Sequence, residues 1–265
     1  MIYTRINGVP DFECREYDNR KKKYCLLIPV LNEKGRIEPE LERAKENNIH
    51  EVCDIIILDG GSKDGCNNDE ALKSLGVNTL LIKTGSGKQG AQLRMGFFYA
   101  LKRGYEGFIT VDGNNKDSIE DTVNFIEKLE EGYDFVQGSR YIDGGVEENT
   151  PILRKIGVKY IHSPLISKAA GYKFTDTTNA FRGYSKKYIE DESVSVFRDV
   201  FSGYELLAYL SVRAAQLKMK VIEIPVKRSY PKGEKVPTKI SPLKGNLDLL
   251  KILFKTARGK YTPDK

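Results

Sequence analysis

Several things are scarce or missing in this chain. No stretch of its 265 residues approaches the ~20 consecutive apolar positions a bilayer-crossing helix needs. The opening segment, MIYTRINGVPDFECREYDNRKKK, also lacks the apolar run of a secretory signal, so the chain is expected to be soluble or peripheral. Its four cysteines, Cys14, Cys25, Cys53 and Cys66, show no CxxC spacing, and two of them sit in apolar strand-like runs. Reduced structural thiols are the expectation. A nucleic-acid-sized basic stripe is missing too: 43 basic residues face 37 acidic ones, a net charge of +6 spread along the chain, so nucleic acid is not an expected partner. No internal repeat and no low-complexity tract is present.

What is present supports a sizeable core. Hydrophobic residues make up 40% and charged residues 30%, too much apolar content for a disordered chain. The length suits one large α/β unit with a C-terminal addition. From Tyr24 short apolar runs alternate with amphipathic stretches, the signature of βα units feeding a mostly parallel sheet. Strands are predicted at 24–30, 52–58, 78–83, 107–111 and 133–138, with helices near 36–47, 66–75, 90–103 and 118–131 joining parallel neighbours. Beyond residue 145 the pattern changes to helices near 150–170 and 203–217, a strand at 221–226 and a last helix, NLDLLKILFKTAR. Basic residues concentrate at Arg20 to Lys23 and from Lys227 to Lys265, which favours anionic phosphates or lipid.

In parallel sheets ligands bind where strands end at their carboxyl edge, so the loops there carry the chemistry. IPVLNE places Pro29, Asn32 and Glu33 at the end of the first predicted strand; an ordinary strand-to-helix turn is the alternative. LDGGSKDG puts Asp59 at a strand end with three glycines behind it, Gly61 among them, and permits a ligand close to the backbone. TGSGKQGAQLRMG matches GxGxxG through Gly85, Gly87 and Gly90, which keeps a dinucleotide site open. Two complete βα units precede it, however, and the simpler reading is that the glycines bring Lys88 and a helix start close to an anion. VDGNN offers Asp112 and Asn114, two oxygen ligands that could share a hard divalent cation, or else a turn with Asx hydrogen bonds.

Taken in order, IPVLNE, IILDGGSKDG, GSGKQGAQLRMGFFYAL, ITVDGN, QGSRY and DTTNAFR resemble the family 2 glycosyltransferases of GT-A fold, in particular the dolichol- and polyprenyl-phosphate mannosyl or glucosyl synthases. The resemblance covers residues 24–240. It implies a GT-A glycosyltransferase domain there, after an N-terminal extension (1–23) and before a C-terminal basic amphipathic helix and tail (241–265) that could lie on anionic lipid or pack on the core.

The resemblance also implies roles. Pro29 to Glu33 would line the nucleotide and Asp59 would hold base or ribose. Asp112 matches the first aspartate of the metal-binding DxD motif, with Mg or Mn as cofactor, while Asn114 replaces the second and weakens the attraction for a dication. Arg140 and Arg154 would contact an acceptor phosphate, a task suited to a planar fork that stays charged. Asp176 would take a proton only if the acceptor were a sugar hydroxyl. Arg228 and Lys239 would close over the donor phosphates. The function expected is an inverting transfer from a GDP- or UDP-linked sugar to a polyprenyl phosphate or lipid-linked saccharide, in the cytoplasm at the inner face of a membrane. The rivals are a nucleotidyltransferase, an NAD-dependent enzyme and a sugar-nucleotide binder that has lost metal-dependent activity.

Overall fold

Period-two alternation decides the layers. In the strand Asp54–Asp59, Ile55 and Ile57 enter one core while Ile56 and Leu58 enter the other, so this strand is buried on both faces. The strand Tyr24–Val30 behaves the same way, with Cys25 and Leu27 on one side and Leu26, Ile28 and Val30 on the other. A run of apolar residues without polar alternation is what two covered faces require.

This computed structural model describes residues 1–232 and 244–263. The strands in chain order are β1 (Ile2–Tyr3), β2 (Phe12–Glu16), β3 (Tyr24–Val30), β4 (Asp54–Asp59), β5 (Val77–Lys83), β6 (Gly107–Thr110), β7 (Phe135–Ser139), β8 (Val146–Glu148), β9 (Arg182–Ser185), β10 (Val221–Pro225) and β11 (Lys227–Ser229). Among the described residues nine of them form one sheet in the order β1-β2-β5-β4-β3-β6-β9-β7-β10, and β8 pairs with β11 apart from it. The helices are α1 (Ile37–Glu46), α2 (Ile49–Val52), α3 (Asp69–Ser74), α4 (Gln89–Lys102), α5 (Thr122–Glu130), α6 (Ile152–Gly157), α7 (Ser163–Ala170), α8 (Lys186–Glu190), α9 (Glu205–Gln216) and α10 (Lys244–Ala257). A π turn, Val158–His162, joins α6 to α7.

The parallel block β5-β4-β3-β6 matches the expectation, but the flanks differ from it. β6 and β7 are not neighbours, because β9 inserts antiparallel between them. Residues 1–23 supply β1 and β2, and β2 pairs antiparallel with β5. That segment is held firmly: Phe12 is fully buried, and the buried Arg94 side chain donates to the carbonyls of Gly8 and Phe201. At the other end α10 packs on α7 and α9, with Leu253 buried. All four cysteines are buried and unpaired, as expected of structural thiols.

Gln92 on α4 governs the site edge. Its amide nitrogen donates to Val30 O at 2.8 Å and to Leu58 O at 2.7 Å, so one buried side chain satisfies the carbonyls at the ends of β3 and β4. Replacing Gln92 with Ala strands both carbonyls. A loss of about 2 kcal/mol in urea-denaturation stability is expected, and a change below about 0.5 kcal/mol would show that the clamp does nothing.

Candidate active site

The ends of β3, β4, β6, β7 and β10 meet at one edge, and the loops expected to carry chemistry converge there. Val111 N donates to Leu27 O at 3.3 Å and Gly113 N to Pro29 O at 3.4 Å, which lays the loop after β6 along β3. Gly113 is required by this approach: a Cβ there would sit 2.6 Å from a Val30 methyl. Asp112 therefore emerges at the edge with its two carboxylate oxygens already oriented. Oδ1 accepts from Gln89 Nε2 at 2.9 Å and Oδ2 from Arg228 Nη2 at 3.2 Å.

Arg228 is buried and bridges two carboxylates, since its Nη1 also pairs with the fully buried Asp117. Burial disfavours the guanidinium's charge, but Asp117 and Asp112 outweigh it and hold the group cationic. Next to it stands Tyr230. Arg154 Nη1 donates to the Tyr230 hydroxyl at 3.1 Å, and Lys116 Nζ, Arg154 Cζ and Arg228 Cζ lie 5.4, 5.7 and 5.8 Å from the ring centre. Burial pushes the Tyr230 hydroxyl up, yet Arg228, Arg154 and Arg140 together pull it below the usual tyrosine value. Burial also lowers Lys116, with Arg228 adding to the effect.

Arg140, just past β7, forms a bidentate pair with Asp176: Nε to Oδ2 at 2.6 Å and Nη2 to Oδ1 at 2.9 Å, with Nη2 also reaching Thr178 Oγ1 at 2.9 Å. Its Nη1 is buried with no partner among the described residues. Burial would raise Asp176, but Arg140 prevails and holds the carboxyl below the usual range. The last residue of the same motif, Arg182, is structural. It is fully buried and donates to the carbonyls of Thr177, Asn179 and Leu207 and to Ser211 Oγ.

The remaining expected residues fall into place differently. Asp59 is buried and accepts from Ser62 N at 2.9 Å and Asn67 Nδ2 at 2.9 Å. Asn32, with φ of 51°, ties two loops together: its N donates to Ser62 Oγ and its Oδ1 accepts from Lys63 N. Gly61 holds φ of +93° beside it, and the buried Glu33 pairs with Arg36 at 2.6 Å. Pro29 is half-buried at the strand end. Several amides of the glycine-rich segment are taken up by the chain itself, Gly85 N by Asp11 O at 2.8 Å among them. Lys88 N donates to Ser202 O at 2.8 Å and Ala91 N to the same oxygen at 3.3 Å, so the helix start is capped by the chain itself. Gly90 is needed because a Cβ there would lie 2.5 Å from Gly203 O. This close packing, not a pyrophosphate, accounts for the GxGxxG spacing. The Lys88 side chain is exposed at the site rim, and Lys239 lies outside the described residues.

Two of the oxygens expected to hold a metal meet a simple chemical test. Asn114 Oδ1 is buried and has no hydrogen-bond partner among the described residues, and Asp112 keeps unused lone pairs. One carboxylate and one orphaned amide oxygen fit a hard cation whose other ligands come from a diphosphate and water.

Sequence reading missed Gln89, Gln92, Lys116, Asp117, Tyr204 and Tyr230. Tyr204 lies within the field of Asp112, which, after burial, raises its hydroxyl's pKa. The signal available was the segment DGNNKD, where Lys116 and Asp117 follow the expected ligands directly.

The mostly parallel central sheet flanked by helices is the architecture of a GT-A fold. Residues 25–192, more than half of the chain, match the family described as Glycosyl transferase family 2. The chain belongs to this family and is a glycosyltransferase. It is 26% identical over 215 residues to the polyprenol monophosphomannose synthase of Mycolicibacterium smegmatis, covering 77% of each chain. It is 26% identical over 203 residues to the undecaprenyl-phosphate mannosyltransferase of Micrococcus luteus, covering 76% of this chain and 81% of that one. In fold it is similar to the glucosyl-3-phosphoglycerate synthase of Mycobacterium tuberculosis, solved with Mn2+, UDP-glucose and phosphoglyceric acid, with a TM-score of 0.61 at 14% identity over 93% of this chain and 82% of that one.

Two titrations test the electrostatics. Replacing Asp176 with Asn leaves Arg140 buried without its counter-ion, and a loss of about 3 kcal/mol at pH 7 is expected in chemical denaturation. Because the folded carboxyl titrates below its unfolded value, the pair's contribution is complete above about pH 4 and fades as pH falls further, so the gap between variant and parent should narrow in acid. A gap that widened would contradict the assignment. His162 also costs stability in acid, although there it is the neutral form that the fold protects. Its Nδ1 lies 2.6 Å from Thr177 Oγ1, and burial, aided by Arg182, lowers its pKa to about 4. The unfolded chain takes this proton near pH 6.5, so stability should fall by about 2 kcal/mol between pH 7 and 4.5, and a His162→Gln variant should lose correspondingly less. Equal losses in both would remove His162 as the cause.

Proposed function

We propose that this chain transfers a sugar from a nucleoside diphosphate donor to a lipid phosphate, with inversion at the anomeric carbon. One observation carries the acceptor class. The three carboxylates around the Tyr230 cluster, Asp112, Asp117 and Asp176, are each ion-paired to an arginine, so none stands ready to take a proton. A sugar hydroxyl acceptor needs such a base, whereas a phosphate acceptor arrives already deprotonated. Four cationic side chains, Lys116, Arg140, Arg154 and Arg228, face these three carboxylates, a balance that favours an anionic ligand. The names of the relatives, which include lipid-phosphate mannosyltransferases, support the same reading.

In this account Asp59 and Glu33 seat the nucleoside, with Asn32 and Gly61 shaping the loops around it. Arg154 and the unpartnered Nη1 of Arg140 bind the acceptor phosphate, and Asp176 positions Arg140. An acceptor oxygen attacks the anomeric carbon from the face opposite the diphosphate; the carbon–oxygen bond to the diphosphate breaks, and its electron pair leaves with the nucleotide. Arg228 and Lys116 stabilise the charge that develops on that leaving group. A divalent cation held by Asp112 and Asn114 would supply further neutralisation of the diphosphate.

A thermal-shift panel of UDP-, GDP-, CDP- and dTDP-sugars, with and without Mn, tests the donor half. One nucleotide class should stabilise the chain, and more so with metal. Asp112→Ala should abolish the metal increment and lower kcat with a polyprenyl phosphate about a hundredfold, while Asn114→Asp should tighten metal binding about tenfold. An unchanged metal increment in Asp112→Ala, or turnover with saccharide hydroxyls but none with lipid phosphate, would sink the proposal.

A further inference from the structure

Helix α6 is unusual in having no buried residue. Ile152, Leu153, Ile156, Tyr160 and Ile161, on α6 and the π turn that follows, are between 46% and 85% exposed. Ile152, Ile156 and Tyr160 are four residues apart in turn, with Leu153 beside them, so they share one helical face. Arg154 and Val158, also four apart, point the other way, Val158 into the protein and Arg154 onto Tyr230. Four large apolar side chains on one exposed face, with the exposed Ile161 next in the chain, form a patch that a monomer in water does not ordinarily maintain.

Charge indicates what covers it. From Asn149 to Thr175 the chain contains no acidic residue, while it carries Arg154, Lys155, Lys159, Lys168 and Lys173. Lys155 and Lys159 are exposed along the edge of the apolar face, Lys155 reaching back to Glu147. An apolar face bordered by lysines suits an anionic bilayer surface, where the stems lie among the lipids and the ammonium groups meet headgroup phosphates. It suits a second copy of this chain poorly, because lysine is depleted from protein interfaces. Among the described residues no helix is long and apolar enough to cross a membrane, so the segment would lie in the interface.

We propose that α6 and the π turn dock this glycosyltransferase on an anionic membrane surface, placing Arg154 at headgroup depth. The inference rests on the lipid-phosphate reading for its purpose, since docking would let an acceptor keep its chain in the bilayer while its phosphate reaches Arg154 and Arg140. The surface is also specific. The C-terminal helix α10, the sequence's own candidate for lipid, presents Leu247 and Phe254 outward but spends Leu253 on the core.

Co-sedimentation of the full chain with phosphatidylcholine vesicles, with and without phosphatidylglycerol, tests the surface. The parent should bind the anionic vesicles, and the double variant Leu153→Glu with Ile156→Glu should bind about tenfold more weakly or less. Both side chains are exposed, and donor-induced thermal stabilisation of the double variant, equal to the parent's, would show that it is folded. In turnover assays the double variant should lose activity toward a long-chain polyprenyl phosphate in vesicles and keep it toward a short, water-soluble prenyl phosphate. Binding that survives in the double variant but is lost in Phe254→Glu would overturn the assignment in favour of α10. A parent that ignores anionic vesicles, or one that is dimeric in solution and becomes monomeric in the double variant, would overturn it as well. Vesicle binding through α6 without turnover of either prenyl phosphate would leave the docking surface standing and discard the acceptor reading instead.

Discussion

The guanidinium of Arg228 joins the parts of the catalytic edge. It lies on β11, just beyond the last strand of the sheet, and reaches back to Asp112 and Asp117 on the loop after β6, more than a hundred residues earlier in the chain. Two carboxylates and one guanidinium in a dry site are costly to assemble, and a pair of this kind contributes little net stability compared with apolar packing. What it contributes is position. Asp112 is held between Gln89 and Arg228, and the Tyr230 ring is set where Arg154 and Lys116 can face it.

That arrangement also divides labour among the carboxylates. Asp176 orients Arg140, Asp117 anchors Arg228, and only Asp112 stands at the open edge with lone pairs to spare. Charges paired in this way suit the binding of phosphates better than the removal of protons. The four cations need no ligand-induced assembly, because burial and hydrogen bonds have already fixed them.

The exposed face of α6 belongs to the same logic. Arg154 is the hinge between the two: one turn of helix carries both the arginine that enters the Tyr230 cluster and the apolar residues that leave the protein surface. An acceptor with a polar head and a long hydrocarbon chain has the same division, and the helix matches it along a single axis.

Much of this was legible in the sequence. Apolar runs such as CLLIPV and DIIIL have only one way to be buried on both faces, so the parallel block and the edge where its loops gather follow from local pattern. Asp112 and Arg140 could be picked out at the ends of predicted strands, whereas Arg154, Asp176 and Arg228 could be picked out only because their motifs resemble those of family 2 glycosyltransferases. Partnership was not legible. Whether Asp176 is a base or the counter-ion of Arg140 depends on a contact between residues 36 apart, and the capping of Lys88 N by Ser202 O depends on one across 114 residues. The antiparallel insertion of β9, a four-residue strand with no periodicity of its own, and the exposure of α6 likewise arise from long-range packing. Local sequence sets which residues stand at strand ends and which helix faces are apolar, because those are properties of period and propensity. Only the tertiary structure decides which charges neutralise one another and which apolar face is left uncovered, because both are settled by what the rest of the chain brings alongside.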